Sequence, residues 1–418
     1  MRKGIQAIGV IALTLIMTGC GQANLGNSYN EGTDHQYMYD ERIGFLHKQA
    51  KGKNGYFFYH DNFLYYRDSM TEEFIPLCNR VDCLHDEETD MERRVTCNAY
   101  VGYETGSDYP ADVGISYYDG YLYFIAEDTP SHSCLQRIKE DGTNREKVYD
   151  FGDAVLYGWC IHRGALYYSE QTYTTEEIFK INKLTLSGKK KLETIYEPDR
   201  DNVTVYSLGA RITAYGDYVF FSSVGTKGNS QDEITQENYA DYAFDLTYAY
   251  NLENGELSEI KAPDTQKNTY LGQVSFWKEH LVFVENTWGE DWTGKSNLYI
   301  ADLDGQNAEK LLETEGGMYV DSDGTYLYLN NEGRYSSGVD EAQRYWVYGD
   351  NMEFVDSFQV SRPRFNSMPV GDENGLCYCA DDENVWRLIQ FDKSDIGTIN
   401  GEELSGKVLA ERKKIAVE

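Results

Sequence analysis

Short runs of alternating apolar and polar residues, each broken by a turn signal, recur along most of the chain. In the clearest copy, Tyr117–Phe124, Asp119-Gly120 separates two such runs. Asp-Gly supplies the positive φ angles of a two-residue hairpin turn, and alternation with a period of two is typical of a half-buried strand. A further strand at 134–139, a turn at 140–142 and the start of an outer strand at 147–149 complete the unit.

Seven candidate copies of this unit follow one another at a spacing of about 45 to 60 residues, which is typical of four-stranded propeller blades. A single blade cannot bury its own apolar face, so neighbours must stack on one another. The sequence therefore predicts an all-β fold, a β-propeller of seven blades, with six or eight as alternatives. The central aliphatic residues expected at equivalent places are Leu64, Leu122, Leu166, Val219, Val282, Leu327 and Leu376.

The first twenty residues have the pattern of an export signal. Arg2-Lys3 precedes an apolar run at 5–17, and Thr18-Gly19 stands before Cys20. This order resembles the signal and lipobox of bacterial lipoproteins. The resemblance implies that residues 1–19 are removed and that Cys20 carries diacylglycerol and fatty acyl chains, palmitate among them. The other interpretation is an ordinary secretory signal in which Cys20 has no special role.

The remaining chain divides into a tether and one domain. Residues 20–40 are polar and predict a flexible tether, and 41–412 predict a single propeller with an insertion at 78–112. Residues 37–53 could pair with C-terminal strands to close the ring. The formal net charge of −32 disfavours binding to nucleic acid, which needs a concentrated positive surface. We expect a monomer held at the extracytoplasmic face of the cell membrane by its lipid.

The insertion contains the most specific chemistry in the sequence. Cys78, Cys83, His85 and Cys97 fall within about twenty positions and could bind a tetrahedral zinc ion. An exported protein meets oxidising conditions, in which nearby cysteines usually pair, for example Cys83 with Cys97. A disulfide, a structural metal or neither therefore remains open, and each of the first two would be structural because four ligands leave zinc no open position.

Two aromatic segments are candidates for ligand binding. Trp288 and Trp292 flank two carboxylates, and Tyr239 and Tyr242 end a second long segment rich in acidic residues. Aromatic rings can stack on sugars while carboxylates accept hydroxyl hydrogen bonds. The alternative is that these rings pack against neighbouring blades, as buried aromatic residues commonly do.

The lipobox, the Asp-Gly-x-Leu-Tyr-Phe repeats and the insertion around Cys78 together resemble TolB-like β-propeller surface lipoproteins of Gram-positive bacteria. The resemblance covers about residues 50 to 400 and implies no established reaction. The chain contains no His-Glu-x-x-His, Gly-x-Ser-x-Gly or glycine-rich phosphate motif. We therefore expect a noncatalytic binding or scaffold module for a glycan, peptide or protein. The alternative is an extracytoplasmic glycan lyase or hydrolase that uses carboxylates in the propeller funnel.

Overall fold

The regular structure of the described residues is almost entirely β-strand. The computed structural model describes residues 30, 34, 48–102, 114–129, 132–172, 178–197, 212–226, 243–263, 269–287, 294–330, 343–360, 370–372, 375–381 and 385–413. The helical residues among them are Asp34, the short α-helix α1 (Met91–Arg94), and 3-10 turns at His85–Glu87 and Lys393–Asp395.

The strands fall into seven groups of four that follow the chain. Blades 1 to 4 comprise β1 (Gln49–Lys51), β2 (Gly55–His60), β3 (Phe63–Asp68), β4 (Phe74–Pro76); β5 (Ile115–Tyr118), β6 (Tyr121–Thr129), β7 (His132–Lys139), β8 (Glu146–Gly152); β9 (Val155–His162), β10 (Ala165–Thr172), β11 (Ile178–Thr185), β12 (Leu192–Tyr196); β13 (Ile212–Tyr215), β14 (Tyr218–Thr226), β15 (Ala243–Asn251) and β16 (Leu257–Ile260). Blades 5 to 7 comprise β17 (Thr269–Trp277), β18 (His280–Thr287), β19 (Lys295–Ala301), β20 (Glu309–Glu315); β21 (Tyr319–Ser322), β22 (Leu327–Asn330), β23 (Gln343–Tyr348), β24 (Phe354–Val360); β25 (Val370–Asp372), β26 (Gly375–Asp381), β27 (Val385–Phe391) and β28 (Lys407–Lys413).

The sheet topology is that of a propeller. Each group forms its own four-stranded sheet in sequence order, and all pairs within a sheet are antiparallel, as in blade 2. The first strands of neighbouring blades lie beside one another, with β1 next to β5, β9 next to β13 and β17 next to β21. The chain is thus a seven-bladed β-propeller, and the predicted fold class is confirmed.

Tight hairpins join the first two strands of most blades. Asp119 (φ 48°) and Gly120 (φ 82°) both adopt left-handed angles, as do Arg163 (φ 47°) and Gly164 (φ 73°) in the next blade. Two successive positive φ angles define the turn whose twist matches that of the flanking strands. The Asp-Gly signal therefore sets the register, with Tyr118 opposite Tyr121.

The predicted equivalent residues occupy equivalent strands in six blades. Leu122 and the residues predicted to match it in blades 3 to 7 lie on the second strand and are buried. In blade 5 the prediction was wrong by one residue, because Leu281 and not Val282 has the register of Leu122. Leu64 is also buried but lies on the third strand, β3, so the assignment of the first copy was wrong by one strand. The counterpart of Asp119-Gly120 in blade 1 is Lys53-Asn54, the two residues before β2, and Tyr56 is the second residue of β2 as Leu122 is of β6.

The hydrophobic core is divided among the gaps between blades. Leu135 of blade 2 packs in one cluster with Leu166 of blade 3, and Val284 of blade 5 packs with Leu329 of blade 6. Another cluster joins blades 7, 1 and 2. Each blade therefore covers the apolar face of its neighbour, as expected of a radial repeat.

Among the described residues, the strands from the two ends of the chain do not share a blade. β1 pairs with β2 inside blade 1, and the sheet of blade 7 is built from β25 to β28. The expectation that residues 37–53 pair with C-terminal strands was therefore wrong for the described part of that segment. In the described part of the chain, contacts between blades 1 and 7 are made by side chains.

The predicted tether at 20–40 is described at two residues. Asp34 is only 2 % exposed, and its Oδ1 accepts a hydrogen bond from the Arg163 N–H at 3.1 Å. Its carbonyl oxygen lies 3.0 Å from Nδ1 of His162. At Asp34 the chain is therefore packed on the first hairpin of blade 3. None of the helices among the described residues has the length and apolar character that a membrane crossing requires.

Candidate metal centre

The Cys/His insertion begins where the outer strand of blade 1 ends. The Leu77 N–H donates to the Leu64 carbonyl at 2.8 Å, so Cys78 starts from a fixed backbone position. The chain then passes through the His85–Glu87 turn and α1, whose first turn is capped by the Asp90 side chain accepting from the Glu92 N–H at 3.0 Å. Val101 finally returns to blade 1, because its N–H donates to the Asn62 carbonyl at 2.8 Å.

This path brings the four predicted ligands together. One ligand atom from each of Cys78, Cys83, His85 and Cys97 lies within 4.8 Å of all the others. Cys97 is 2 % exposed, and the other three are half-buried. The four residues could hold a metal ion.

The separation between Cys97 and His85 fits two ligands of a tetrahedral ion. Zinc–sulfur and zinc–nitrogen bonds of about 2.3 and 2.0–2.1 Å give a sulfur–nitrogen edge of about 3.6 Å. The Sγ of Cys97 lies 3.6 Å from Nδ1 of His85. Cys78, Cys83 and Cys97 are free thiols in this structure, which does not contain the Cys83–Cys97 bridge that oxidising conditions would favour.

Backbone amides approach each of the three sulfur atoms. The His85 N–H donates to the Sγ of Cys83 at 3.4 Å, the Arg80 and Asn98 N–H groups donate to Cys78, and the Ala99 N–H donates to Cys97. In every case the donor includes the residue two positions after the cysteine. Such amides stabilise sulfur in its thiolate form, which is the form that binds metals.

The thiols of Cys78 and Cys97 are hydrogen-bonded to each other. The hydrogen bond between them lowers the pKa of Cys78, and the amides of Arg80 and Asn98 add to this effect. The same hydrogen bond, together with burial, raises the pKa of Cys97. The lowered pKa of Cys78 favours its thiolate, which is the form of cysteine that binds metals.

Arg94 fixes the turn that carries His85. Its side chain is 4 % exposed, donates from Nη1 to the Glu88 carbonyl at 2.9 Å and stacks over Phe63 of blade 1 at 4.6 Å. A buried guanidinium with these contacts ties the insertion to the blade. Sequence reasoning missed this residue, because nothing in its local pattern separates it from the neighbouring Arg93.

A second group of buried charges lies between blades 6 and 7. The Lys393 Nζ is 2.5 Å from the Asp323 Oδ2 and 2.9 Å from the Asp372 carbonyl, and the Tyr328 hydroxyl donates to the Asp323 Oδ2 at 2.6 Å. Burial raises the pKa of Tyr328, which keeps that hydroxyl protonated. The charged and polar groups described here are paired with one another, so the cluster stabilises the packing of blade 6 against blade 7.

The other predicted site residues lie outside the described residues. They are Cys20, Tyr239, Tyr242, Trp288 and Trp292. In the sequence the two aromatic segments follow the second strands of adjacent blades, β14 and β18. They remain predictions.

No model of a known protein family matches this chain, and no curated protein sequence does. Solved structures match it well. An oligogalacturonate lyase from Vibrio parahaemolyticus is 13% identical, with 85% of this chain and 89% of that chain covered and a TM-score of 0.51. A prolyl endopeptidase is 12% identical with a TM-score of 0.52, and the match covers 91% of this chain but 51% of the endopeptidase.

TolB from Acinetobacter baumannii is also among the matches. It is 13% identical, with 84% of this chain and 79% of TolB covered and a TM-score of 0.39. At these identities the neighbours establish the propeller fold alone. Because lyases and peptidases both occur among them, the likeness assigns no reaction.

Proposed function

We propose that Cys78, Cys83, His85 and Cys97 bind one zinc ion. The proposal is carried by the distance of 3.6 Å between the Sγ of Cys97 and Nδ1 of His85, which matches one edge of a zinc tetrahedron. The sulfur atoms of the group also accept hydrogen bonds from backbone amides. Three thiolates and one imidazole form a donor set that zinc prefers over harder cations.

The centre is structural. Four protein ligands complete the tetrahedron and leave no position for water or substrate. Zinc binding then contributes directly to the folding free energy of the insertion.

Elemental analysis of the purified chain tests the metal. We expect about one equivalent of zinc, lost in Cys83→Ser because that variant removes a thiolate ligand. Cys379→Ser is the matched control, since this half-buried cysteine lies on β26, and it should keep the metal. A wild-type chain without metal whose thiols resist alkylation until reduced would contradict the proposal.

We further propose that the protein is a lipid-anchored, noncatalytic binding module on the outer face of the cell membrane. The lipobox at Cys20 supports the anchor, since lipid on one cysteine can hold a soluble propeller at a membrane. The absence of a recognised catalytic motif from the sequence favours binding over reaction.

The net charge of the protein limits the classes of ligand that it can bind. A net charge of −32 repels polyanions such as oligogalacturonate, the substrate class named for one structural neighbour. It attracts basic ligands and does not repel neutral ones. We therefore propose a neutral or basic glycan or peptide as the ligand class.

Two measurements test the anchored module. Cys20→Ala should move the protein from the membrane fraction to the medium or the soluble fraction, and retention in the membrane would contradict lipidation. A glycan array should show binding to neutral or basic glycans that Trp288→Ala/Trp292→Ala weakens. Preferential binding and cleavage of oligogalacturonate would favour the enzyme instead.

A further inference from the structure

We infer that metal bound at the Cys/His centre holds the ring closed where blade 1 meets blade 7. The inference rests on the metal centre proposed above. The centre would then stabilise more than its own loop, because the insertion contacts blades 2 and 7 on either side of blade 1.

The seam between blades 1 and 7 depends on side chains. Trp386 of β27 is 1 % exposed. Its ring stacks on His60 at 4.4 Å and meets Tyr65 edge-on at 5.0 Å and Phe74 edge-on at 5.6 Å. Because no described strand crosses from one blade to the other, these contacts replace the backbone hydrogen bonds that a shared sheet would provide.

Polar contacts complete the seam. Asp372 of blade 7 pairs with Lys51 at 2.9 Å and accepts from the Tyr56 hydroxyl at 2.8 Å. At the outer edge, the Arg412 Nη2 donates to the Phe74 carbonyl at 2.8 Å. Charge-assisted bonds between partly buried groups are stronger than exposed ion pairs.

The metal insertion joins this seam through Asp86, the residue after the ligand His85. Its Oδ2 accepts from the Tyr65 hydroxyl at 3.1 Å and lies 3.9 Å from the Nε of Arg412. Tyr65 belongs to the ring cluster around Trp386, and Arg412 belongs to blade 7. The proposed ligand His85 is therefore followed directly by a residue that contacts both blade 1 and blade 7.

The other end of the insertion is fixed on blade 2. The Asn98 Nδ2 donates to the Gly142 carbonyl at 3.0 Å, and the Arg145 Nη1 donates to the Asn98 carbonyl at 3.1 Å. The insertion thus spans blade 1 from blade 2 to blade 7. Metal ligands lie at both ends of this span, with Cys97 next to Asn98 and His85 next to Asp86.

Without a cation the insertion is under internal stress. His85 has a φ of 56°, a conformation that costs energy outside glycine and persists only where its surroundings fix it. Relaxation of this turn would withdraw Asp86 from Tyr65 and Arg412, so the seam should open before the rest of the ring.

Hydrogen exchange of the full chain, with zinc bound and after chelation, tests the inference. We expect exchange in β2, β3, β26 and β27 to become about tenfold faster on zinc removal, while β14 and β15 on the far side of the ring change by less than about twofold. Elemental analysis of the same samples gives the metal content.

A pair of arginine variants tests the route through Asp86. Arg412→Gln should retain zinc, speed exchange in β26 and β27 and reduce the further effect of chelation. The control is Arg387→Gln, since the Arg387 Nε pairs with Glu411 inside blade 7 at 2.8 Å. It should leave both the seam and its response to chelation unchanged.

The outcomes separate the two proposals. A chain that binds zinc but exchanges equally fast at the seam after chelation would overturn the inference and leave the metal centre standing. Uniformly faster exchange in all blades would also overturn it, and a chain that binds no metal would overturn both. An Arg412→Gln protein indistinguishable from Arg387→Gln would overturn the route through Asp86.

Discussion

Gly142 is the residue at which blade 2 meets the metal insertion of blade 1. Its φ is 75°, and a Cβ at this position would lie 2.9 Å from the backbone nitrogen of Cys78. Glycine therefore permits both a left-handed turn and the close approach of a metal ligand. Gly120 in the same blade has a φ of 82°, but a Cβ there would meet no other atom within 4 Å.

This difference predicts the effects of two alanine substitutions. Gly120→Ala should cost about 1 kcal/mol of unfolding free energy from the left-handed φ alone. Gly142→Ala should cost about 2–4 kcal/mol, because crowding against Cys78 adds to the same φ penalty, and it should weaken zinc binding. Denaturant unfolding and zinc titration measure both effects. Equal losses in the two variants, with zinc affinity unchanged, would contradict the packing of Gly142 on Cys78.

The four candidate metal ligands could be grouped from the sequence, but the sequence could not decide between a metal and a disulfide. Cys78, Cys83, His85 and Cys97 are neighbours in the chain, so their grouping needed no tertiary information. The choice between a bridge and a metal depends on separations of about 2 Å or about 4 Å between sulfur atoms, which sequence spacing does not fix. Asp86 and Arg412 had no signal at all, since they are brought together only by ring closure.

At the scale of strands, two hairpins of blade 1 compete for the same sequence signal. Asp61 (φ 47°) and Asn62 (φ 65°) form a left-handed turn like Asp119-Gly120, but they join β2 to β3. Aromatic residues lie on both sides of Asp61-Asn62 and also follow Asn54-Gly55. Both sites therefore fit the repeat equally well. The pattern of a hairpin predicts a turn and its register, and it does not say which pair of strands the turn joins.

Substitution of Trp386 tests how much the packing between strands of blades 1 and 7 contributes to stability. Trp386→Ala should cost about 3–5 kcal/mol, because it removes a fully buried ring and leaves a cavity. Trp346→Ala is the control, since Trp346 is a half-buried tryptophan on the third strand of blade 6, and it should cost less than about 2 kcal/mol. Thermal and denaturant unfolding give the comparison. Similar losses in the two variants would show that Trp386 is not central to the seam.

At the scale of the whole molecule, most of the fold prediction followed from the recurring hairpin unit. Six copies of the Asp-Gly-type unit were assigned to the correct strand, because the hairpin and the buried aliphatic residue recur together, as in Leu122 and Leu166. The manner of closure was not predictable, since it depends on contacts between residues more than 300 positions apart, such as Tyr56 and Asp372.

The net charge of −32 predicts a dependence of stability on salt. Self-repulsion disfavours the compact state, and added ions screen it. The midpoint of thermal unfolding should therefore rise by a few degrees between about 0.02 and 0.5 M KCl, measured with zinc in excess. KCl is preferable to sulfate, which also strengthens apolar burial. A falling midpoint would show that attractive ion pairs outweigh the net charge.

X-ray absorption at the zinc edge of the purified full chain is the most direct test of the proposed zinc centre. We expect three sulfur neighbours at about 2.3 Å and one nitrogen at about 2.0–2.1 Å, with no oxygen in the coordination sphere. A spectrum with an oxygen ligand, or a chain that contains no zinc and joins these cysteines in a disulfide, would contradict it.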